Sequence, residues 1–108
     1  MKISSLERPV NMQSLTIKGK AYYNFCFDIV EEPPFFYYRS IMLPQNIVSY
    51  DTLVDAIITS EYSESQMTAI IYNFLLDSSN REEFDEMQNF RKFAKDTAKE
   101  ILTYIEAL

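Results

Sequence analysis

Residues 20–43 read KAYYNFCFDIVEEPPFFYYRSIML, and this stretch predicts a long β-hairpin. Apolar residues along its first arm repeat with a period of two, which is the repeat of a β-strand. One face of that strand would carry Tyr23, Phe25, Phe27 and Ile29, and the other face Tyr22, Asn24, Cys26 and Asp28. The prolines at positions 33 and 34 end the first arm because they lack N–H donors, and Pro44 ends the second arm.

A further strand precedes the hairpin. Leu15 and Ile17 alternate with polar residues, and the sequence Lys18–Gly19–Lys20 predicts a turn because glycine tolerates a positive φ. The sequence therefore predicts a three-stranded antiparallel β-meander over residues 15–42.

Beyond residue 49 the apolar repeat changes to three and four residues, which is typical of amphipathic helices. Three helices are predicted within residues 50–107, packed on one face of the sheet. Each has a candidate cap: Ser49 or Asp51 for the first, Ser63 with Gln66 for the second, and Ser79 with Glu82 for the third. The helical residues expected in the core are Ile57, Ile58, Ile70, Ile71, Phe74, Ala94, Ala98 and Ile101.

The length and composition indicate one globular domain. The chain has 108 residues, of which 47% are hydrophobic and 24% charged, and it contains no internal repeat or long linker. We therefore expect residues 1–108 to form a single α+β domain, with a sheet part at 15–42 and a helical part at 50–107.

Several residue types that catalysis commonly uses are absent or rare. The sequence has no His, one Cys and one Gly, so it lacks a His acid or base, a His/Cys metal site and a glycine-rich phosphate loop. The acidic run of Glu82, Glu83, Asp85 and Glu86 could bind Ca²⁺, but carboxylates in the first turns of a helix are favoured by its dipole. We expect no catalytic, cofactor-binding or metal-binding residue, and a protein that is not an enzyme.

The charge is acidic and uneven. The net charge is −6, and residues 45–108 carry five basic against twelve acidic side chains. Such a surface repels phosphate backbones, so direct binding to nucleic acid is not expected. The first ten residues, MKISSLERPV, lack the apolar core of a signal peptide, and we expect neither secretion by a signal peptide nor a membrane span.

Eight aromatic rings lie between residues 22 and 38, and strand alternation sends them to both faces of the hairpin. In one interpretation the inward rings form the core and the outward tyrosines lie flat on the sheet. In the other, the second face is buried against another protein chain, because Tyr and Phe are enriched in interface cores. The candidate interface residues are Tyr22, Cys26, Phe35, Tyr37 and Ile41.

The helical half contains a Tyr-Ser step, an Ile-Ile-x-Asn-x-Leu helix and an aromatic-x-x-Ala-Lys helix. These motifs are carried by Tyr62 and Ser63, by Ile70, Ile71, Asn73 and Leu75, and by Phe90, Phe93, Ala94, Lys95, Ala98 and Lys99. Over about residues 50–103 the chain thus resembles a group of short uncharacterised phage and prophage-type proteins of gut Bacteroidales. Phe93 stands where the group's pattern has Trp, and the aromatic hairpin lies outside the resemblance.

The resemblance implies a genomic source and no reaction mechanism. Together with the aromatic hairpin it leads us to expect a protein-interaction module, either a small virion structural protein or an assembly accessory. Its partner would be a second copy or a larger phage protein. The alternative is an acidic inhibitor of a host nuclease or defence protein. Either would be found in the host cytoplasm or in the virion.

Overall fold

The computed structural model describes residues 2–108 as an antiparallel sheet followed by helices. The strands are Ile3–Ser5 (β1), Met12–Ile17 (β2), Lys20–Glu32 (β3) and Phe35–Pro44 (β4). A short 3-10 turn at Gln45–Ile47 leads to the helices Tyr50–Glu61 (α1), Glu64–Leu76 (α2) and Arg81–Glu106 (α3). The predicted α+β class, with an antiparallel sheet and three helices, is confirmed.

The sheet has four strands in the order β1-β4-β3-β2, so the predicted number of three is wrong. The additional strand, β1, is only three residues long and has no apolar alternation. It pairs with a strand far along the chain, since Ile3 lies opposite Tyr38. The turn at Gly19 is present, with φ of 77° at Gly19 and 50° at Lys18.

A bulge interrupts β3. Phe27 pairs with Arg39 and Val30 pairs with Tyr37, so two residues of β3 oppose one residue of β4. Asp28, inside the bulge, has φ of 53°. Because the bulge shifts the alternation by one residue, Val30 continues the face that carries Phe27. The predicted continuation of that face to Ile29 is therefore wrong.

The core lies between one face of the sheet, termed the helix-facing face, and the helices α1 and α3. Its buried residues are Phe25, Phe27, Ile41, Leu53, Val54, Ile57, Ile58, Ala94, Ala98 and Ile101. Five of the helical residues expected in the core belong to this cluster, and Ile70 is also buried. Two expectations are wrong, because Ile71 is 38% exposed and Phe74 is only half-buried. Both belong to α2, which packs along α3 at the periphery of the molecule.

The helix caps follow the sequence prediction for two of three helices. The Ser49 hydroxyl accepts from the Thr52 N–H, and a reciprocal capping box joins Ser63 to Gln66. The Ser79–Glu82 box is not formed, since the Ser79 N–H donates to the Asp77 carboxylate at 3.0 Å and α3 begins after Asn80. The turn built by Asp77 thus moves the start of α3 by one residue.

The molecule is more extended than a typical chain of its length. Its radius of gyration is 16.0 Å, against about 13 Å for a compact domain of this size. Its accessible surface is 7289 Å², against roughly 6,200 Å² for a folded monomer of equal mass. The chain therefore exposes about 1,000 Å² more than a compact monomer would.

Candidate functional site

The five residues predicted to form an interface do not lie on one face of the sheet. Cross-strand partners point to the same side, and Ile41 lies opposite Phe25, so Ile41 belongs to the helix-facing face. Phe35 and Tyr37 lie on that same face by alternation along β4. Tyr22 and Cys26 point to the opposite side, termed the outer face. Ile41 is buried in the core, where another chain cannot reach it.

The outer face of the sheet carries aromatic and aliphatic side chains with polar ones between them, and no residue of it belongs to the core cluster beneath the helices. Its register places Leu15 beside Tyr22, Ile3 beside Tyr38, Ser5 beside Phe36 and Asn24 beside Met42. Ile3 and Met42 are exposed, whereas the aromatic rings are half-buried. Cross-strand side chains on one face lie close together, so these rings have neighbours within the sheet.

The far end of the β3–β4 hairpin, residues 30–38, carries aromatic rings on both faces and is termed the distal hairpin. Phe35 and Tyr37 point to the helix-facing side but lie outside the core cluster. Their ring centroids are 6.4 Å apart in an edge-on arrangement. Phe36 and Tyr38 point to the outer side. The distal hairpin therefore presents aromatic rings on both sides of the sheet, with Glu31 and Glu32 beside them.

Arg39, at the base of the distal hairpin, binds Asp28 of β3 and Glu61 of α1. Its Nε lies 3.3 Å from Asp28 Oδ2 and its Nη1 lies 2.6 Å from Glu61 Oε2. The guanidinium carbon is 5.2 Å from the centre of the Phe90 ring. Burial disfavours the charged guanidinium, but the hydrogen bonds and charges of Glu61 and Asp28 outweigh it and raise the pKa of Arg39. The hydrogen bond from Arg39 lowers the pKa of Glu61.

Cys26 lies on the outer face and is buried; it pairs with Ser40 of β4, and its backbone N–H donates to the Asn11 carbonyl at 3.0 Å. The Asn24 amide donates to its Sγ at 3.5 Å. Burial outweighs this hydrogen bond and raises the pKa of the Cys26 thiol. A thiol with a raised pKa forms less thiolate, so Cys26 is a poor nucleophile in the folded chain.

A cavity of about 310 Å³ lies between α3 and the bulged part of β3. At its rim the Asn11 amide donates to the Tyr104 hydroxyl at 3.4 Å, and that hydroxyl donates to the Glu100 carboxylate at 3.3 Å. Burial and the Glu100 charge raise the pKa of Tyr104. These polar groups bond to one another, so they hold the segment before β2 against the end of α3.

The acidic residues at the start of α3 lie together around a shallow depression. Glu82, Glu83 and Glu86 border it with Ser79 and Asn80. All three carboxylates are exposed and lie near the positive end of the helix dipole, which favours them. Within residues 2–108 no group of three or more His, Cys, Asp and Glu side chains could hold a metal ion.

A second apolar surface lies on α2 and was not expected from the sequence. Ile71, Tyr72, Leu75 and Leu76 are exposed there. The sequence does contain a signal for it, because eight of the 13 residues of α2 are apolar. A helix that buries one stripe needs only three to four apolar residues in every two turns.

No protein-family model, curated protein or solved structure matches this chain. In the part of the chain that the structure describes, none of the helices combines the length and the apolar character needed to span a membrane.

Proposed function

We propose that the chain is a non-enzymatic protein-interaction module of phage type, a small virion component or assembly accessory. It acts in the host cytoplasm or within the virion, and it binds a larger phage protein or a second copy through the outer face and the distal hairpin. The observation that carries this proposal is the aromatic outer face, on which no core helix packs. Soluble monomers rarely expose contiguous apolar patches above a few hundred Å².

The side chains of the outer face and the distal hairpin favour binding to another protein over catalysis. The aromatic rings of the outer face and the distal hairpin offer a large contact area at a small loss of conformational entropy, and Tyr is enriched in interface cores. The groups that could react are engaged within the fold, since Cys26 is buried and Arg39 binds two carboxylates. These side chains therefore favour a role in protein binding.

Mass spectrometry of purified particles tests the virion assignment. The chain should be present in the particles, and Met42→Glu should reduce its incorporation because a charge then lies on the outer face, opposite Asn24. Met42 is already exposed, so the circular-dichroism spectrum of the variant should match that of the wild type. Leu108→Glu, at an exposed apolar residue outside the sheet, is the control and should leave incorporation unchanged. Unchanged incorporation of Met42→Glu would contradict the outer face as the contact.

The acidic surface at the start of α3 supports a second candidate, an inhibitor of a host nuclease or defence protein. Glu82, Glu83 and Glu86 gather on one exposed surface in a chain of net charge −6. An inhibitor would be missing from particles and would slow the nuclease in a cleavage assay. Replacing the three glutamates by Gln would abolish that inhibition, whereas Met42→Glu would preserve it.

A further inference from the structure

The exposed side of α2 carries an uncovered and largely apolar seam. Thr68, Ile71, Tyr72 and Leu75 follow one another at intervals of three and four residues, so they share one stripe of the helix. Leu75 is 72% exposed, and Leu76, which flanks the seam, is 83% exposed. No charged residue interrupts the seam, although 24% of the whole chain is charged.

A groove of about 490 Å³ borders the first half of this seam. Ile58 of α1 and Met67 and Ile71 of α2 form its apolar wall, and the charged residues Asp55, Glu64 and Arg91 also line it. The two exposed leucines lie at the other end of α2, about 12 Å along the helix axis from Met67. One helix therefore carries a pair of protruding apolar side chains at one end and borders a groove with an apolar wall at the other.

We propose that α2 is the contact between two copies of this chain, paired antiparallel about a two-fold axis near Ile71 and Tyr72. A two-fold contact presents the same patch from both copies, so the patch must be self-complementary. The antiparallel arrangement meets this condition, because it brings Leu75 and Leu76 of each copy to the groove of the other. Leu75 of one copy then lies against Thr68 of the second copy.

Surface area favours a second copy, and the distribution of charge favours α2 as the place where two copies meet. The whole chain has a surplus of about 1,000 Å² over a compact monomer, to which the exposed side chains of α2 contribute, and each partner in a standard interface buries roughly 800 Å². Two chains of net charge −6 repel each other through most of their surfaces. The seam itself is uncharged, and the charged residues of the groove are Asp55, Glu64 and Arg91, so pairing through α2 brings fewer like charges together than contact through the acidic start of α3 would.

Sedimentation equilibrium of the whole chain tests the proposal. The wild type should form dimers as its concentration rises, and Leu75→Glu should weaken association by at least about tenfold. The double variant Leu75→Glu with Thr68→Lys should restore association, because each Glu then lies against a Lys of the other copy. Leu6→Glu, at a residue 69% exposed and far from α2 in the sequence, should associate as the wild type does. Tyr72→Lys tests the same contact if Leu75→Glu does not fold.

Three results would overturn the proposal: a wild type that stays monomeric at millimolar concentration, dimers that Leu75→Glu leaves intact, or a double variant that stays monomeric. Dimers that Met42→Glu dissociates and Leu75→Glu does not would place the contact on the outer face. That result would support the proposed function and reject α2 as the contact. Failure of Met42→Glu to alter particle incorporation would leave the α2 result unaffected.

Discussion

The helices α1 and α2 are neighbours in sequence with almost the same length, yet they differ sharply in burial. They have 12 and 13 residues, and each begins with a serine capping box. In α1 the residues Leu53, Val54, Ile57 and Ile58 are buried, whereas in α2 only Ile70 is buried. Local sequence therefore forms both helices equally well and does not decide how deeply each is buried.

The difference arises from what each helix contacts. The helix α1 lies against both the sheet and α3, so its apolar stripe is covered on two sides. The helix α2 packs along α3 at the periphery and keeps much of its apolar surface in water. When a helix has more apolar surface than its neighbouring elements cover, the remaining surface is a candidate contact for another chain. We infer such a contact for α2.

Truncating one leucine in each helix tests this comparison with the largest expected effect. Leu53 of α1 is fully buried, so Leu53→Ala should lower the free energy of unfolding by about 2–5 kcal/mol. The matched change Leu75→Ala in α2 should alter it by less than about 0.5 kcal/mol, because Leu75 is mostly exposed. Urea unfolding at micromolar protein concentration, where association is weak, measures both. Equal losses would show that α2 belongs to the core as fully as α1.

A smaller effect is expected at the contact between α2 and α3. The rings of Phe74 and Phe84 stack with centroids 4.2 Å apart and planes 11° from parallel. Phe74 is half-buried, so Phe74→Ala should lower the free energy of unfolding by about 1–2 kcal/mol, less than the 3–5 kcal/mol of a fully buried Phe. Hydrogen exchange should quicken in α2 and stay slow in α1. Faster exchange in both helices would mean that α2 supports the core.

The smallest expected effect on the free energy of unfolding is at the end of α1, where Glu61 binds Arg39. The pKa of Glu61 is lower in the folded chain than in the unfolded chain, where it is about 4.3. Its contribution is therefore present above that pH and is lost as the pH falls through the lower, folded pKa. Glu61→Gln should lower stability at pH 7 by under about 1 kcal/mol, because the side chain is partly exposed.

The pH dependence provides the check on Glu61. Urea unfolding between neutral pH and pH 3 should show that the wild type loses more stability than Glu61→Gln as the solution becomes acidic. Parallel curves for the two proteins would contradict a role for the Glu61 carboxylate in binding Arg39.

The sequence predicted what depends on local patterns. The alternation around Phe25 located the hairpin, and the capping box at Ser63 marked the start of α2. The strand β1 was missed because its pairing with Tyr38 depends on residues more than 30 positions away. The bulge at Asp28 was missed because nothing in the local alternation marks it.

The candidate interface was only partly predictable from the sequence, because it too depends on contacts between residues that are distant in sequence. The density of rings pointed to exposed aromatic area, but the sequence could not assign each ring to a face. That assignment depends on which side of the sheet α1 and α3 cover, and tertiary packing decides it. Ile41 was therefore placed at an interface although it lies in the core, and the seam on α2 was assigned in part to the core through Ile71.

Hydrogen–deuterium exchange of the wild-type chain at micromolar and at millimolar concentration tests the contrast between α1 and α2 most directly. If the seam of α2 is a contact surface, exchange of the α2 amides should slow as the concentration rises, because association adds protection to the helix. Exchange in α1 is set by the core and should not change. Exchange rates in α2 that are independent of concentration would contradict the account.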